Sequence, residues 1–198
     1  MSRRGPVKKR QSRKSPISRG SIGICILAGG LSSRMGRSKA AVRLGGVTLL
    51  QHVTRTARKS GLPARIIRRD LVSRCGPLGG IYTGLFTTAA RAELFLACDM
   101  PFVSLALIAE VAERFRKTGK PVFTRAGRRS GFPCLLPRVC AEAVHRFLTA
   151  GEYSLQSLAS ELGASFVAIR RGELDQVLNI NTPADLETAR QKLDKLGA

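Results

Sequence analysis

Apolar and polar positions fall along the chain in blocks that predict strands and helices in alternation. Residues 22–28 form a continuous apolar run that ends at a glycine pair, as expected of a strand buried on both faces. Residues 94–98 form a second such run, which is stopped by Asp99 and Pro101. Between the two runs, residues 48–59 carry apolar side chains at the spacing of an amphipathic helix.

The remaining blocks extend this alternation to the end of the chain. Short strands are predicted at residues 64–67, 121–124, 132–136 and 165–169. Helices are predicted at residues 81–88, 104–115, 138–149, 154–162 and 182–196, and residues 76–80 are expected to form a loop. Such alternation indicates an α/β fold, in which helices cover both faces of a mostly parallel sheet. We therefore predict a Rossmann-like sandwich of three layers.

Cap residues mark the start of two of these helices. Ser104 can accept a hydrogen bond as the N-cap of the helix that follows it. Near the C-terminus, Thr182 takes the N-cap position, Pro183 the first helical position and Asp185 the third. The boundaries of both helices are therefore predicted from side-chain chemistry as well as from periodicity.

Charge separates the first residues from the rest of the chain. The 198 residues carry a net charge of +21, from 34 basic and 13 acidic side chains. Residues 1–20 contain eight basic side chains, no acid and no hydrophobic period, so we predict a disordered tail there. The tail is either a solvated extension or a tether to nucleic acid or another anionic surface. Residues 21–198 have the length of one domain with a single core.

The five cysteines show no C-x-x-C spacing and several lie in apolar runs, so we predict buried free thiols in a reducing compartment rather than a zinc site. No apolar run reaches the roughly 18 residues that a membrane helix needs, and the basic N-terminus lacks the apolar region of a secretory signal. These features together predict a cytoplasmic protein without a membrane partner.

The first candidate site is the glycine-rich stretch 27–39, which directly follows the first predicted strand. Its glycine pair allows backbone N–H groups to approach a ligand closely, and Arg34, Arg37 and Lys39 could neutralise phosphate charge. The stretch has neither the Walker A pattern nor the pattern G-x-G-x-x-G. The alternative is a glycine-rich turn whose basic residues are only solvated.

Two acidic residues and an asparagine pair follow other predicted strands. Asp99 ends a buried strand, where it could bind a hard cation such as Mg²⁺ together with substrate phosphates, or could only cap a turn. Asp70 could contact a nucleotide, assist a metal or start a turn. Asn179 and Asn181 precede a helix, where they could bind a ligand or serve as caps.

The chain offers few general bases, because it has only two histidines, His52 and His145, both within helical patterns. It also lacks the G-x-S-x-G motif of serine hydrolases. A phosphate nucleophile is already anionic at neutral pH. Attack on the α-phosphate of a nucleoside triphosphate therefore needs positioning and charge neutralisation more than proton abstraction.

Four motifs, in this order, resemble those of the molybdenum cofactor guanylyltransferase (MobA) family, from about residue 22 to residue 196. They are Leu-Ala-Gly-Gly with Arg-Met-Gly and Lys39, then Gly-Pro-Leu-Gly-Gly-Ile, Cys-Asp-Met-Pro-Phe and Asn-Ile-Asn-Thr-Pro-Ala-Asp-Leu. The first motif alone resembles the wider nucleotidyltransferase superfamily, which includes enzymes that use CTP or act on sugar phosphates. The resemblance implies a nucleotidyltransferase domain over residues 21–198.

The resemblance also implies a reaction and a set of roles. The reaction is transfer of GMP from GTP to Mo-molybdopterin with Mg²⁺, which gives molybdopterin guanine dinucleotide and diphosphate. Proteins that build or insert the molybdenum cofactor would be transient partners, whereas nucleic acid is not an expected one. The implied catalytic residues are Lys39, which would contact the phosphates, and Asp99, which would bind the metal. The implied nucleotide-binding residues are Leu27, Ala28, Gly29, Lys39, Asp70 and Asp99, and Asn179 and Asn181 would contact the pterin side.

The chain departs from the family pattern in two places. Ser38 stands where many relatives have Asp or Asn before the lysine. The segment between His52 and Asp70 is short, so we expect the sheet to have one strand fewer than in relatives. Two alternatives to GMP transfer therefore stay open: another nucleotidyltransferase that uses CTP or a sugar phosphate, and a non-catalytic relative that binds nucleotides or nucleic acid.

Overall fold

The computed structural model of the chain describes residues 21–29 and 39–197. The strands are β1 (Ile22–Leu27), β2 (Arg43–Leu44), β3 (Val47–Thr48), β4 (Ala64–Ile67), β5 (Ala92–Ala97), β6 (Val122–Ala126), β7 (Arg129–Pro137) and β8 (Ser165–Ala168). The helices are α1 (Leu49–Lys59), α2 (Gly76–Thr87), α3 (Leu105–Thr118), α4 (Ala141–Thr149), α5 (Leu155–Glu161) and α6 (Pro183–Gly197). Short 3₁₀ helices lie at Lys39–Ala41, Arg138–Cys140 and Arg171–Val177.

Six of these strands form one sheet in the order β4-β1-β5-β7-β6-β8. The strands β4, β1 and β5 are mutually parallel, β6 is parallel to β8, and β7 runs antiparallel to both of its neighbours. The predicted mostly parallel sheet is therefore confirmed. Every strand of this six-stranded sheet except β7 ends at the same edge, where ligands of open α/β sheets bind.

One strand, β4, lies between His52 and Asp70, and it forms the end of the sheet next to β1. The expectation of one strand fewer than in relatives stays a prediction. The four residues of β4 match the predicted bounds 64–67. Its partner β1 therefore lies only one strand from the end of the sheet.

Helices cover both faces of the sheet, as predicted, because each central strand is apolar on both sides. On one face α1 and α3 pack against Ile24 and Ile26 of β1 and Leu94 and Leu96 of β5. On the other face α2, α4 and α5 pack against Phe95, with Cys25 in the same cluster. All five cysteines are buried free thiols, as predicted: Cys25, Cys75, Cys98, Cys134 and Cys140. Among the described residues, no helix is both long and apolar enough to cross a membrane.

The predicted caps form as the side-chain chemistry requires. Ser104 Oγ accepts the N–H of Leu107 at 3.1 Å, at the start of α3. At the start of α6, Thr182 Oγ1 accepts the N–H of Asp185, and the Asp185 carboxylate accepts the N–H of Thr182 at 2.8 Å. These reciprocal bonds fix the direction in which the chain enters α6.

The prediction of a loop at residues 76–80 was wrong, because these residues form the first turns of α2. Pro77 suits the first turn of a helix, where its missing N–H removes no internal hydrogen bond. Gly79 and Gly80 are buried and in close contact with neighbouring segments, so packing outweighs their poor helix propensity. The helix therefore begins five residues earlier than the prediction at residue 81.

A buried ion pair lies toward the amino ends of the strands, away from the predicted site. Arg65 of β4 donates to Glu93 Oε1 of β5, and Thr88 donates to the same oxygen. Burial raises the pKa of Glu93, and the Arg65 charge and the Thr88 hydrogen bond oppose that rise in part. Gly23, opposite Glu93 in the register, leaves room for the carboxylate, since a Cβ there would lie 2.9 Å from Oε2.

Candidate active site

The ends of β1 and β5 lie side by side at the carboxyl edge of the sheet. Leu27 and Ala97 are register partners, and Cys98 N–H donates to the Leu27 carbonyl at 3.0 Å. The segment Ala28–Gly29 therefore follows one strand while Asp99 follows its neighbour. The two principal predicted motifs thus share one edge of the sheet.

Asp70 joins the same edge from the other side of β1. Ala28 N–H donates to the Ile67 carbonyl at 2.8 Å, so β4 ends beside β1 and Asp70 lies three residues farther on. A Cβ atom on Gly29 would lie 3.1 Å from Asp70 Oδ1 and 3.3 Å from the Arg68 carbonyl oxygen. Glycine at position 29 is therefore what allows the chain beyond β1 to lie against the Asp70 carboxyl group.

The Asp70 carboxyl group also lies against the first turns of α2. A Cβ atom on Gly79 would lie 3.3 Å from Oδ2, and one on Gly80 would lie 3.4 Å from Oδ1. The carboxylate near the N-terminal end of the helix is favoured by the helix dipole. Partial burial nevertheless raises the pKa of Asp70, because removal of water disfavours the charged form.

Asp99 is linked to the asparagine motif by the backbone. Its side chain is largely buried, and its carbonyl oxygen accepts the N–H of Ile180 at 2.9 Å. This hydrogen bond brings Asn179 and Asn181, which flank Ile180, to the edge that carries Asp99. Asn179 is exposed, whereas Asn181 is half-buried and its N–H donates to the Asp185 carboxylate at 2.9 Å.

The glycine-rich stretch lies mostly outside the described residues. Residues 30–38 belong to that part, and with them the predicted phosphate contacts of Arg34 and Arg37. For Lys39 the structure describes the backbone, which opens the 3₁₀ helix Lys39–Ala41 before β2. The phosphate role of Lys39 therefore stays a prediction.

Thr83, for which the sequence pattern predicted no role, is buried in α2 with 4% of its surface exposed. Its hydroxyl accepts the N–H of Leu71 at 2.8 Å and donates to the Gly79 carbonyl at 2.8 Å. Thr83 therefore ties the segment after Asp70 to the helix. The signal available in the sequence was a threonine within an otherwise apolar helical run.

Two cavities lie beside α5 and include none of the predicted site residues. One, of about 690 Å³, is lined by Phe147, Glu152 and Glu161 among others. The other, of about 270 Å³, is lined by Arg125 and Phe166 and shares Gln156 and Ser160 with the first. The candidate active site is therefore defined by the convergence of the four motifs and not by these cavities.

Comparison with known proteins agrees with this arrangement. The model of the MobA-like NTP transferase domain matches residues 24–67 and 59–166, two stretches that overlap in the short segment before Asp70. A probable molybdenum cofactor guanylyltransferase of Opitutus terrae is 32% identical over 189 residues, which cover 84% of this chain and 94% of the relative. The molybdenum cofactor guanylyltransferase of Acidiphilium cryptum is 33% identical over 185 residues, or 83% of this chain and 91% of the relative.

Solved structures show the same fold. Molybdopterin-guanine dinucleotide biosynthesis protein A of Archaeoglobus fulgidus has a TM-score of 0.71 at 21% identity, over 87% of this chain and 99% of that one. The 4-diphosphocytidyl-2C-methyl-D-erythritol synthase of Anaerococcus prevotii has a TM-score of 0.70 at 14% identity, over 88% and 99% of the two chains. From the match of the domain model and the similarity to curated relatives, we conclude that this chain belongs to the MobA-like NTP transferase family.

Proposed function

We propose that this protein transfers GMP from GTP to Mo-molybdopterin, forming molybdopterin guanine dinucleotide and diphosphate. The names of the curated relatives support this choice of substrates. In the reaction, a terminal phosphate oxygen of the pterin forms a bond to the α-phosphorus of GTP. The bond from that phosphorus to the oxygen that bridges to the β-phosphate breaks, and diphosphate leaves with that oxygen.

The observation that carries the proposal is the shared edge of β1 and β5. There the backbone of residues 27–29 would hold the guanine nucleotide, and Asp70, packed against Gly29, would contact it. Lys39 would meet the phosphates. Asn179 and Asn181, held beside Asp99 through Ile180, would face the pterin side. These groups position the two substrates, which is what a reaction between two phosphates requires most.

The family implies a divalent cation, and the oxygen donors at this edge suit Mg²⁺. Mg²⁺ is bound in such sites by one or two carboxylates, substrate phosphates and water. Asp99 would hold the ion, and the half-buried Asp70 is a second carboxylate at the same edge. Among the described residues no group of three or more His, Cys, Asp or Glu forms a closed metal cage. A cation bound there would offset the negative charge of the triphosphate.

We further propose that residues 21–198 form the catalytic domain and that residues 1–20 are not needed for catalysis. The five buried free thiols support a cytoplasmic location, where cysteines stay reduced. Transient contacts with proteins that insert or build the cofactor would deliver the pterin and remove the product. Removal of residues 1–20 should leave GMP transfer unchanged.

The test is an assay of purified protein with Mg²⁺, Mo-molybdopterin and each nucleoside triphosphate in turn. Diphosphate release and the dinucleotide product are measured together by a coupled assay and by chromatography. We expect turnover with GTP. Turnover with CTP and none with GTP would instead support the cytidylyltransferase alternative. Tight binding of nucleic acid by the full chain without any turnover would support the non-catalytic alternative.

A further inference from the structure

Thr83 occupies a position in α2 that an apolar side chain would fill equally well. Its neighbours Leu78, Ile81 and Leu85 on the same helix are fully buried, and only 4% of Thr83 is exposed. A buried hydroxyl group is costly unless it is hydrogen-bonded. Here the hydroxyl both donates, to the Gly79 carbonyl, and accepts, from Leu71 N–H, each at 2.8 Å.

The bond to Leu71 acts on the residue directly after Asp70. The same segment contacts α2 again at Val72, whose carbonyl oxygen lies 2.6 Å from the position a Cβ on Gly79 would take. Between these contacts and Gly29, the carboxyl group of Asp70 has little freedom to move. In the part of the chain that the structure describes, the bond from Leu71 N–H to the Thr83 hydroxyl is the one side-chain hydrogen bond between segment 70–72 and α2.

We propose that Thr83 is a positioning residue for nucleotide binding, which acts through the backbone of Leu71 to hold the Asp70 carboxylate against Gly29. The inference rests on the proposed function, because Asp70 is the group that would contact the nucleotide. Loss of the hydroxyl would leave the Leu71 N–H without its acceptor and release the segment from α2. Asp70 would then sample positions away from the end of β1, and the nucleotide would bind more weakly.

The test compares Thr83→Val with Thr83→Ser and with a control on another helix. Valine fills nearly the same volume without a hydroxyl, and serine keeps the hydroxyl. The control is Thr54→Val in α1, because Thr54 Oγ1 likewise donates to the carbonyl four residues earlier, at 2.7 Å, but among the described residues it accepts no hydrogen bond from a loop. For each variant KM for GTP, kcat and the thermal midpoint are measured. The rate of hydrogen exchange at the Leu71 amide is measured in the parent and in each variant.

Loss of one hydrogen bond that positions a binding group predicts that Thr83→Val raises KM for GTP about tenfold and changes kcat less than about twofold. Exchange at the Leu71 amide should speed up by a similar factor. Thr83→Ser and Thr54→Val should both keep KM within about twofold of the parent. Should the valine variant fail to fold, Thr83→Ala tests the same loss with a smaller side chain.

Three results would overturn the inference. One is an unchanged KM in a folded Thr83→Val variant, which would make the hydroxyl purely structural even if the thermal midpoint falls. Another is an equal rise of KM in Thr54→Val. The third is failure of Thr83→Ser to keep the parental KM. If the parent protein itself has no turnover with GTP, the proposed function fails, and unchanged exchange at the Leu71 amide in Thr83→Val would separately refute the contact.

Discussion

A Cβ atom on Gly29 would lie 3.1 Å from Oδ1 of Asp70, closer than most side chains approach a neighbouring atom. The glycine just beyond β1 and the carboxylate beyond β4 are therefore fitted to each other. The first of these positions would hold the nucleotide through its backbone, and the second would contact it through its side chain. A methyl group between them would disturb both.

Gly29→Ala should raise KM for GTP about tenfold, because the added methyl would displace the Asp70 carboxylate or the backbone proposed to hold the nucleotide. Steady-state kinetics with GTP as the varied substrate measures the change. Gly172→Ala is the matched control, since a Cβ at Gly172 would meet nothing within 4 Å and its φ is not positive. An equal change in the control, or none in Gly29→Ala, would contradict the role of the close approach.

Asp99→Ala should lower kcat by about 100-fold or more, because the largely buried carboxylate would hold the cation that balances the triphosphate. The backbone carbonyl that binds Ile180 is kept in this variant, so cooperative thermal unfolding should remain. Turnover is measured over a range of Mg²⁺ concentrations. Asp194→Ala, at an exposed position of α6, is the control. Parental turnover in Asp99→Ala at low Mg²⁺ would refute the metal assignment.

Asp70→Asn should bind GTP more weakly but unfold at a higher temperature than the parent at pH 7. Burial raises the pKa of Asp70 in the folded state, so the folded protein holds the proton more tightly than the unfolded chain. The contribution of Asp70 to stability is therefore fully present below the unfolded pKa and is lost as the pH rises through the folded pKa. Asparagine does not ionise, so the Asp70→Asn variant does not lose this stability as the pH rises.

Thermal unfolding of both proteins between pH 3 and pH 7, together with calorimetric titration of GTP at pH 7, checks this pair of effects. The gain in stability should be largest at pH 7 and should shrink as the pH falls. A variant that is less stable at pH 7 would show that the carboxylate is stabilised by its surroundings. The pKa of Glu93 is also raised by burial, so the stability of Asp70→Asn should still depend on pH.

The thiols should resist alkylation in the native protein at pH 8. Burial raises the pKa of Cys25 to about 12 and that of Cys140 to about 11, and it raises the pKa of Cys134 as well. At pH 8, Cys25 therefore has more than about a thousandfold less of the reactive thiolate than an ordinary cysteine. Mass spectrometry after iodoacetamide treatment measures labelling. Rapid native labelling of Cys25 would contradict its burial, and all five thiols should react in denaturant.

Much of the fold was predictable because burial and caps leave clear marks in a sequence. The apolar run at residues 22–28 became β1, and residues 48–59 became α1 with Thr48 as its N-cap. The loop prediction at residues 76–80 was wrong, because it rested on the low helix propensity of glycine, which takes no account of tertiary contacts. The helix there is stabilised by contacts with Val72, Asp70 and Leu27, which come together only in the folded chain.

The sheet edge that the motifs share was predictable, but the contacts among their residues were not. The rule that strand ends share an edge placed residues 27–29 and Asp99 together, and the register of β1 with β5 agrees with it. The pairing of Gly29 with Asp70 depends on which strand lies beside β1, and no local pattern carries that information. The hydrogen bond from Leu71 to Thr83 could not be predicted from a local pattern either, because it joins a loop to a helix that packs beside it only in the folded chain.

The hydrogen bond from Ile180 to the Asp99 carbonyl ties a segment near the end of the chain to the centre of the sheet. During synthesis, the sheet edge that carries Asp99 therefore cannot reach its final form until residue 180 has left the ribosome. A ribosome stalled before that point would hold a nascent chain with most of its sheet but without the asparagine segment. Catalytic competence would thus require residues 179–181 to be synthesised and docked, and not the sheet alone.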